Sequence, residues 1–145
     1  MDDQNQSAFL LFESSGEKFF IDIKHLEEIV PSQKITRMPL GSDTFKGITN
    51  YRGEIIGVLD FEKAAGLKER SGMSSRVIVV KNNNEKFGIP ADRAVEVAYI
   101  KPGKVVSKPS GILSGYAEHN SEKTGVINID KLITKTETHA TGGLI

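Results

Sequence analysis

The stretch Gly47-Ile48-Thr49-Asn50-Tyr51-Arg52-Gly53-Glu54-Ile55-Ile56-Gly57-Val58-Leu59-Asp60-Phe61 decides how the rest of the chain is read. Two apolar, strand-like runs, Gly47 to Tyr51 and Ile55 to Leu59, meet at Arg52-Gly53. A glycine after a bulky residue between two such runs signals a tight turn, because glycine takes positive φ without steric cost. Asn50 and Gly53 are read as structural turn residues. The turn leaves Tyr51 and Arg52 at a hairpin end, where a loop can present them to a partner. Both residue types are enriched among interface anchors. Asp60 closes the second run and is placed to cap a short helix through Ala65, which Gly66 ends.

Working outward toward the N-terminus, Ala8 to Glu13 reads as a strand and Ser14-Ser15-Gly16 as a turn. Glu17 to Ile23 then alternates, with Phe19, Ile21 and Ile23 on one face. Asp22 can cap one helical turn through Lys24-His25-Leu26. Glu28 to Val30 is a strand that stops at Pro31, and Ile35 to Met38 is another. On the C-terminal side, Lys68 to Ser75 is polar and rich in Gly and Ser, the composition of a mobile linker.

Beyond that linker the pattern starts again. Val77 to Val80, Glu85 to Ile89, Val95 to Ile100, Val105 to Lys108, Leu113 to Ala117 and Gly125 to Ile129 read as strands. Asp130 is expected to cap a helical end through Ile133. Pro90 interrupts a strand, which suggests an edge or a bulge there. Glu17-Lys18-Phe19-Phe20-Ile21 matches Glu85-Lys86-Phe87-Gly88-Ile89 at an offset of 85 − 17 = 68. Glu28-Ile29 and Gly47-Ile48 find their counterparts, Glu96-Val97 and Gly115-Tyr116, at the same offset. Leu59-Asp60 aligns with Ile129-Asp130 only after a slip of two.

Matches in one order, separated by turns, argue for two copies of one all-β unit. About five short strands close into a small barrel without exposed edges, and two barrels side by side leave a seam that can serve as a groove. The expectation is a single domain over residues 8–145, with barrels at approximately 8–70 and 71–135 between which strands can exchange. Residues 1–7 and 135–145 are expected to be flexible ends.

Composition narrows the function. The 145 residues carry 19 basic and 19 acidic side chains, so no basic excess exists to meet a phosphate backbone. Aromatic residues make up 7% and there is no Trp, which is poor equipment for a small-barrel nucleic-acid module. Without Cys there is no disulfide, thiol nucleophile or zinc-thiolate site. The acidic, polar start is the reverse of a signal peptide, and no apolar run is long enough to span a bilayer. A cytoplasmic protein, monomeric when free, is the expectation.

No catalytic, metal or cofactor site is read from the residues. His25, His119 and His139 are widely spaced, and no metal-binding or nucleophile motif occurs. Asp60 and Asp130 could be paired acids, but each follows a strand and begins a helical turn, so capping explains both. Arg52 has two readings. It can be a structural arginine paired with Glu28 or another acid, or an exposed one that binds a partner's carboxylates or carbonyls. Leu26 and Val97 can be core or groove lining.

These residues resemble the CheW family of bacterial chemotaxis over roughly Phe9 to Ile133. The resemblance rests on Glu28-Ile29, on the Gly-x-x-Asn-x-Arg-Gly hairpin of Gly47, Asn50, Arg52 and Gly53, and on Ile55, Val58, Asp60 and Phe61. In the second half it rests on Phe87-Gly88-Ile89, Asp92, Val97, Gly115 and Ile129-Asp130. It implies two intertwined SH3-like barrels and an adaptor without enzyme activity, metal or cofactor. The implied partners are the cytoplasmic tip of transmembrane chemoreceptors and the regulatory domain of the histidine kinase CheA. The implied location is the cytoplasm, at membrane-associated receptor arrays. A related pathway such as pilus motility is the alternative within the family.

Carried over by position, the receptor-binding residues would be Leu26, Glu28, Gly47, Arg52 and Val97, with Gly88 and Ala94 as further contacts, while Tyr51 is a candidate contact from its place at the hairpin end. Gly57 stands where the family usually has Pro, which implies a looser strand there. Phe61 replaces the usual Leu. Ala91 and Ala94 fall where larger apolar residues are common.

Overall fold

A computed structural model of the chain describes residues 6–32, 34–38, 44–68 and 74–134. Most of the expected linker, the expected flexible tail from 135 and residues 1–5 lie outside the described residues. Within the described residues twelve strands form. They are β1 Ser7–Ser14, β2 Glu17–Asp22, β3 Leu26–Pro31, β4 Thr36–Arg37, β5 Phe45–Tyr51 and β6 Glu54–Leu59, then β7 Arg76–Asn82, β8 Glu85–Ala91, β9 Arg93–Ile100, β10 Val105–Ser110, β11 Leu113–His119 and β12 Glu122–Ile127. Helix α1 spans Phe61–Ala65, residues 129–134 form a second short helix, α2, and 3-10 turns occupy Ile23–His25 and Pro102–Lys104.

The strands make two six-stranded sheets, ordered β10-β11-β12-β2-β1-β9 and β3-β7-β8-β6-β5-β4. Each therefore has one strand more than the five expected. Each sheet takes two strands from one repeat and four from the other, so residue 70 divides the repeats but not the sheets. In both sheets the two edge strands are consecutive in the chain. Residues 101–104 join β9 to β10, and residues 32–35 join β3 to β4. Four residues reach at most about 14 Å, so each sheet must curl until its edges nearly meet.

The pairing obeys the repeat position by position. Leu10 opposes Val97 in one sheet, and their counterparts Ile78 and Ile29 oppose each other in the second. Gly125 pairs with Phe19 in a short parallel ladder, and Gly57 with Phe87 in its mate. Small pairs with large in both, because a glycine leaves room for the ring. A Cβ on Gly57 would stand 3.1 Å from the Phe45 ring and 3.5 Å from that of Phe87. The space beside Gly57 is filled, so the strand is not loosened by an unpacked position.

Alternation along the strands sorts the apolar residues into three layers. Phe9, Leu11, Phe20, Ala98 and Val126 fill the inside of the first sheet. Tyr51, Ile56, Val77 and Val79 fill the inside of the second. The largest layer lies between the sheets, where Leu10, Phe12, Phe19 and Ile21 meet Leu59, Phe61, Ile78, Val80, Ile89 and Leu132. The Phe12, Phe19 and Phe61 rings meet there with centroids 5.1 to 5.7 Å apart, close enough to add directional contact to burial.

Two sequence expectations are corrected by this frame. Asp130 does not cap α2. The side chain of Asn128 does, accepting from the Lys131 N–H at 3.1 Å, as Asp60 accepts from Lys63 at 3.2 Å at the start of α1. Asn128 is 68 positions after Asp60, so the repeat has no slip here, and Asp130 is instead exposed and accepts from the Asn82 amide at 2.8 Å. Pro90 lies in β8, an interior strand. It falls beyond Gly88, the last residue paired with β6, so its missing N–H removes no bond from that ladder.

Candidate functional site

The end of the second sheet at the β5–β6 turn gathers an ionic cluster. Arg52 and Gly53 both have positive φ, 50° and 83°, which is the backbone of a two-residue hairpin turn. The Asn50 side chain closes that turn by accepting from the Gly53 N–H at 3.2 Å. The turn aims the guanidinium back along β3. There it meets Glu28 in a two-pronged pair, Nε to Oε1 at 2.7 Å and a terminal nitrogen to Oε2 at 2.9 Å. Arginine and carboxylate match geometrically in this fork.

A bulge makes the cluster possible. Leu26 opposes Val80 while Glu28 opposes the adjacent Val79, so Glu27 is the extra residue and the strand reverses its faces across it. Leu26 consequently faces the layer between the sheets, and Glu28 faces the barrel interior, where Tyr51 lies. The Tyr51 hydroxyl is within bonding distance of both acids, 2.7 Å from Glu28 and 3.1 Å from Glu27. Lys86 joins Glu27 at 3.1 Å and Glu54 at 2.9 Å, with its ammonium 5.7 Å from the centre of the Tyr51 ring.

The electrostatics follow the contacts. Arg52 first, then Tyr51, holds the Glu28 carboxyl down at about 2. Burial, reinforced by hydrogen bonds to Glu28 and Glu27, pushes the Tyr51 phenol up to about 12. Lys86 lowers Glu27, Glu54 and Glu27 raise Lys86, and Glu28 raises Arg52. Glu27, Glu28, Arg52 and Lys86 therefore keep their charges, and Tyr51 its proton, at neutral pH. The arrangement is a partly exposed network of paired charges built around the Tyr51 hydroxyl. Among the described residues, no cluster of three or more His, Cys, Asp or Glu could hold a metal.

Of the two readings of Arg52, the pairing with Glu28 is present, and 69% of the arginine side chain is exposed. Tyr51 is not on display, because Gly47, Thr49 and Tyr51 share the buried face of β5 and the ring is only 4% exposed. Tyr51 supports the site from within and is no surface anchor. Gly47 is also buried. A Cβ there would lie 2.2 Å from the Thr36 carbonyl oxygen, so the glycine lets β4 close onto β5. Gly88 is buried against Val77, 2.8 Å from where a Cβ would be, and offers no surface.

Leu26, Ala94 and Val97 are divided between the two sheets. Leu26 is on β3 and the other two on β9, which are edge strands of the two sheets. Leu26 and Ala94 are repeat counterparts that pack against the layer between the sheets. Val97 stands beside Leu10 of that layer and is 43% exposed. These three mark its rim. Leu26 and Glu27 also line an open depression of about 590 Å³ with Lys24, His25 and residues 81–84. A separate cleft of about 610 Å³, between α1 and the β10–β11 turn, contains none of the predicted site residues.

Sequence reasoning missed Glu27 and Lys86. The signal for Lys86 is in the repeat: Lys18, its counterpart, pairs with Glu122 at 3.5 Å as Lys86 pairs with Glu54. The same symmetry sets His119 against Glu96 at 2.8 Å where Tyr51 meets Glu28. His119 is thus half-buried against Phe20, 5.7 Å between ring centres, and is no simple loop residue.

Comparison with known proteins agrees with this architecture. The chemotaxis protein CheW of Helicobacter pylori is 24% identical over 141 residues, covering 92% of this chain and 86% of that protein. CheW of Treponema pallidum is 28% identical over 144 residues, covering 91% and 85%. The crystal structure of the scaffolding protein TtCheW from Thermoanaerobacter tengcongensis superposes with a TM-score of 0.77 at 27% identity, over 84% of this chain and 88% of that one. The family model for the CheW-like domain matches residues 8–137, and with that match the chain belongs to the CheW-like family.

Proposed function

We propose that this protein is a non-catalytic adaptor that couples the cytoplasmic tips of transmembrane chemoreceptors to the regulatory domain of a CheA-type histidine kinase. The observation that carries this reading is the CheW-like match over residues 8–137, nearly the whole chain. The receptor face is made by Leu26 and Val97 at the apolar rim, with Ala94 beside them, and by Glu28 and Arg52 at the charged barrel end. A helix laid into a groove suits this division, with apolar anchors along one face and a charged pair that sets its register. Tyr51 acts from beneath by bonding Glu27 and Glu28 on β3, Gly47 by letting β4 close onto β5, and Gly88 by packing against Val77 of β7, the strand beside β3. No helix among the described residues is long and apolar enough to cross a membrane. The protein works in the cytoplasm, recruited to receptor arrays by its partners.

Retention on immobilised receptor tips and on kinase, wild type against Arg52→Glu, tests the proposal. The wild type is expected to bind both, and the variant to lose the receptor while keeping the kinase. A variant that still binds receptor removes Arg52 from the face. A wild type that binds neither partner ends the adaptor reading.

A further inference from the structure

The repeat supplies a control for every surface, because each face of one sheet has a counterpart on the other built on the same register. Counterparts differ at many positions, and on one outward face the difference is one of charge. In the first sheet Val106 opposes Tyr116, and Glu118 opposes Lys123. Residues directly opposite share a face, as do residues two apart, so these four side chains stand together. With Lys104 and Gly103 they line a cleft of about 450 Å³. The Lys123 ammonium lies 3.9 Å from the centre of the Tyr116 ring. In the second sheet the counterparts of Tyr116 and Lys123 are Ile48 and Ile55, both apolar, and that of Glu118 is Asn50. The fold is equally well made with a neutral face, so the lysines and the tyrosine are not required to build it.

From this contrast, the geometry points to a second docking site, over Tyr116, for an acidic segment of a partner protein carrying two or more carboxylates. Charge complementarity selects the occupant. Neither Lys104 nor Lys108, further along β10, has a carboxylate partner among the described residues, and Lys123 has only the ring beneath it. Glu118 is the one acid in the lining. The aromatic floor and the exposed Val106 add apolar area for the segment's backbone and side-chain stems. Lysines on an edge strand also guard against unwanted strand pairing. That role accounts for Lys108 on β10 and for Lys104 in the turn that leads into it, but Lys123 is on β12, away from the edge, where a guard has nothing to do. Nucleic acid is a poorer fit, since one tyrosine and no arginine line the cleft.

Amide shifts of the full chain on titration with a Glu-rich decapeptide test this, with the Gln-for-Glu peptide and vesicles containing phosphatidylserine as comparison arms. Shifts confined to residues 103–108, 116–118 and 123, lost at high salt, are the expected result with the acidic peptide. They should be absent with the Gln peptide and in Lys104→Glu/Lys123→Glu. Both substituted side chains are exposed, so the variant's dispersed spectrum reports that it still folds. Equal shifts with the Gln peptide, a response to vesicles alone, unchanged binding by the variant, or no localised shifts would each overturn the proposal. Receptor retention by the variant should be intact, which separates this site from the one at Arg52.

Discussion

Arg52 sits in left-handed backbone, which costs a residue with a Cβ about 1–2 kcal/mol. Its repeat counterpart, Asn120, belongs to a residue type that tolerates that conformation more easily. A turn alone would be served better by asparagine, so the arginine is there for its head group. The Glu28 pair it makes is legible in the sequence only as one of two alternatives, because nothing local says which acid a mobile side chain will find. The pair has a testable pH signature. The Glu28 carboxyl is held down at about 2, from an ordinary value near 4.5. A depressed acid stabilises the fold above its unfolded value and loses that contribution as pH falls through the folded one. Wild type should therefore exceed Glu28→Gln in denaturant midpoint above about pH 4.5, and the two should converge toward pH 2. A gap that stays constant across that range would show that the pair does not set the difference.

At the scale of elements, four hairpins turn on residue pairs with positive φ, Ser15-Gly16, Arg52-Gly53, Asn83-Asn84 and Asn120-Ser121. The second pair in each half lies 68 positions from its mate, as does the first. Such turns are readable because few residue types accept the geometry. Caps are less readable, since Asp130 and Asn128 are both good capping types and only the position of the first helical N–H groups chooses between them. Replacing Asn128 with Ala should cost about 1 kcal/mol, similar to Asp60→Ala. Asp130→Ala should cost less, because it frees one exposed amide. Thermal or urea unfolding of the three variants checks the order, and a larger loss at Asp130 would restore it as the cap. The bulge at Glu27 left no sequence signal, yet it decides that Leu26 and Glu28 face opposite ways.

For the whole molecule, the reciprocal exchange of strands has a direct consequence. β1 and β2 pair with β9 and β12, while β7 and β8 pair with β3 and β6. Neither half owns a complete sheet or the layer between the sheets. Fragments 1–70 and 71–145 should each be unfolded as monomers, and mixing them should restore the dispersed spectrum of the intact chain. A folded monomeric half would contradict the exchange. Read alone, the sequence was sufficient for the all-β class, the repeat, the alternating faces and the turn positions. Those features are written within a few neighbouring residues, as a period of two and as side chains that tolerate left-handed backbone. Only tertiary structure decided which repeat completes which sheet, that Tyr51 is a buried support, and that Glu27, Glu28 and Lys86 converge on it. The bonds from Tyr51 and Arg52 to Glu28 span 23 and 24 positions, and a local pattern carries no information about which distant strand will lie alongside.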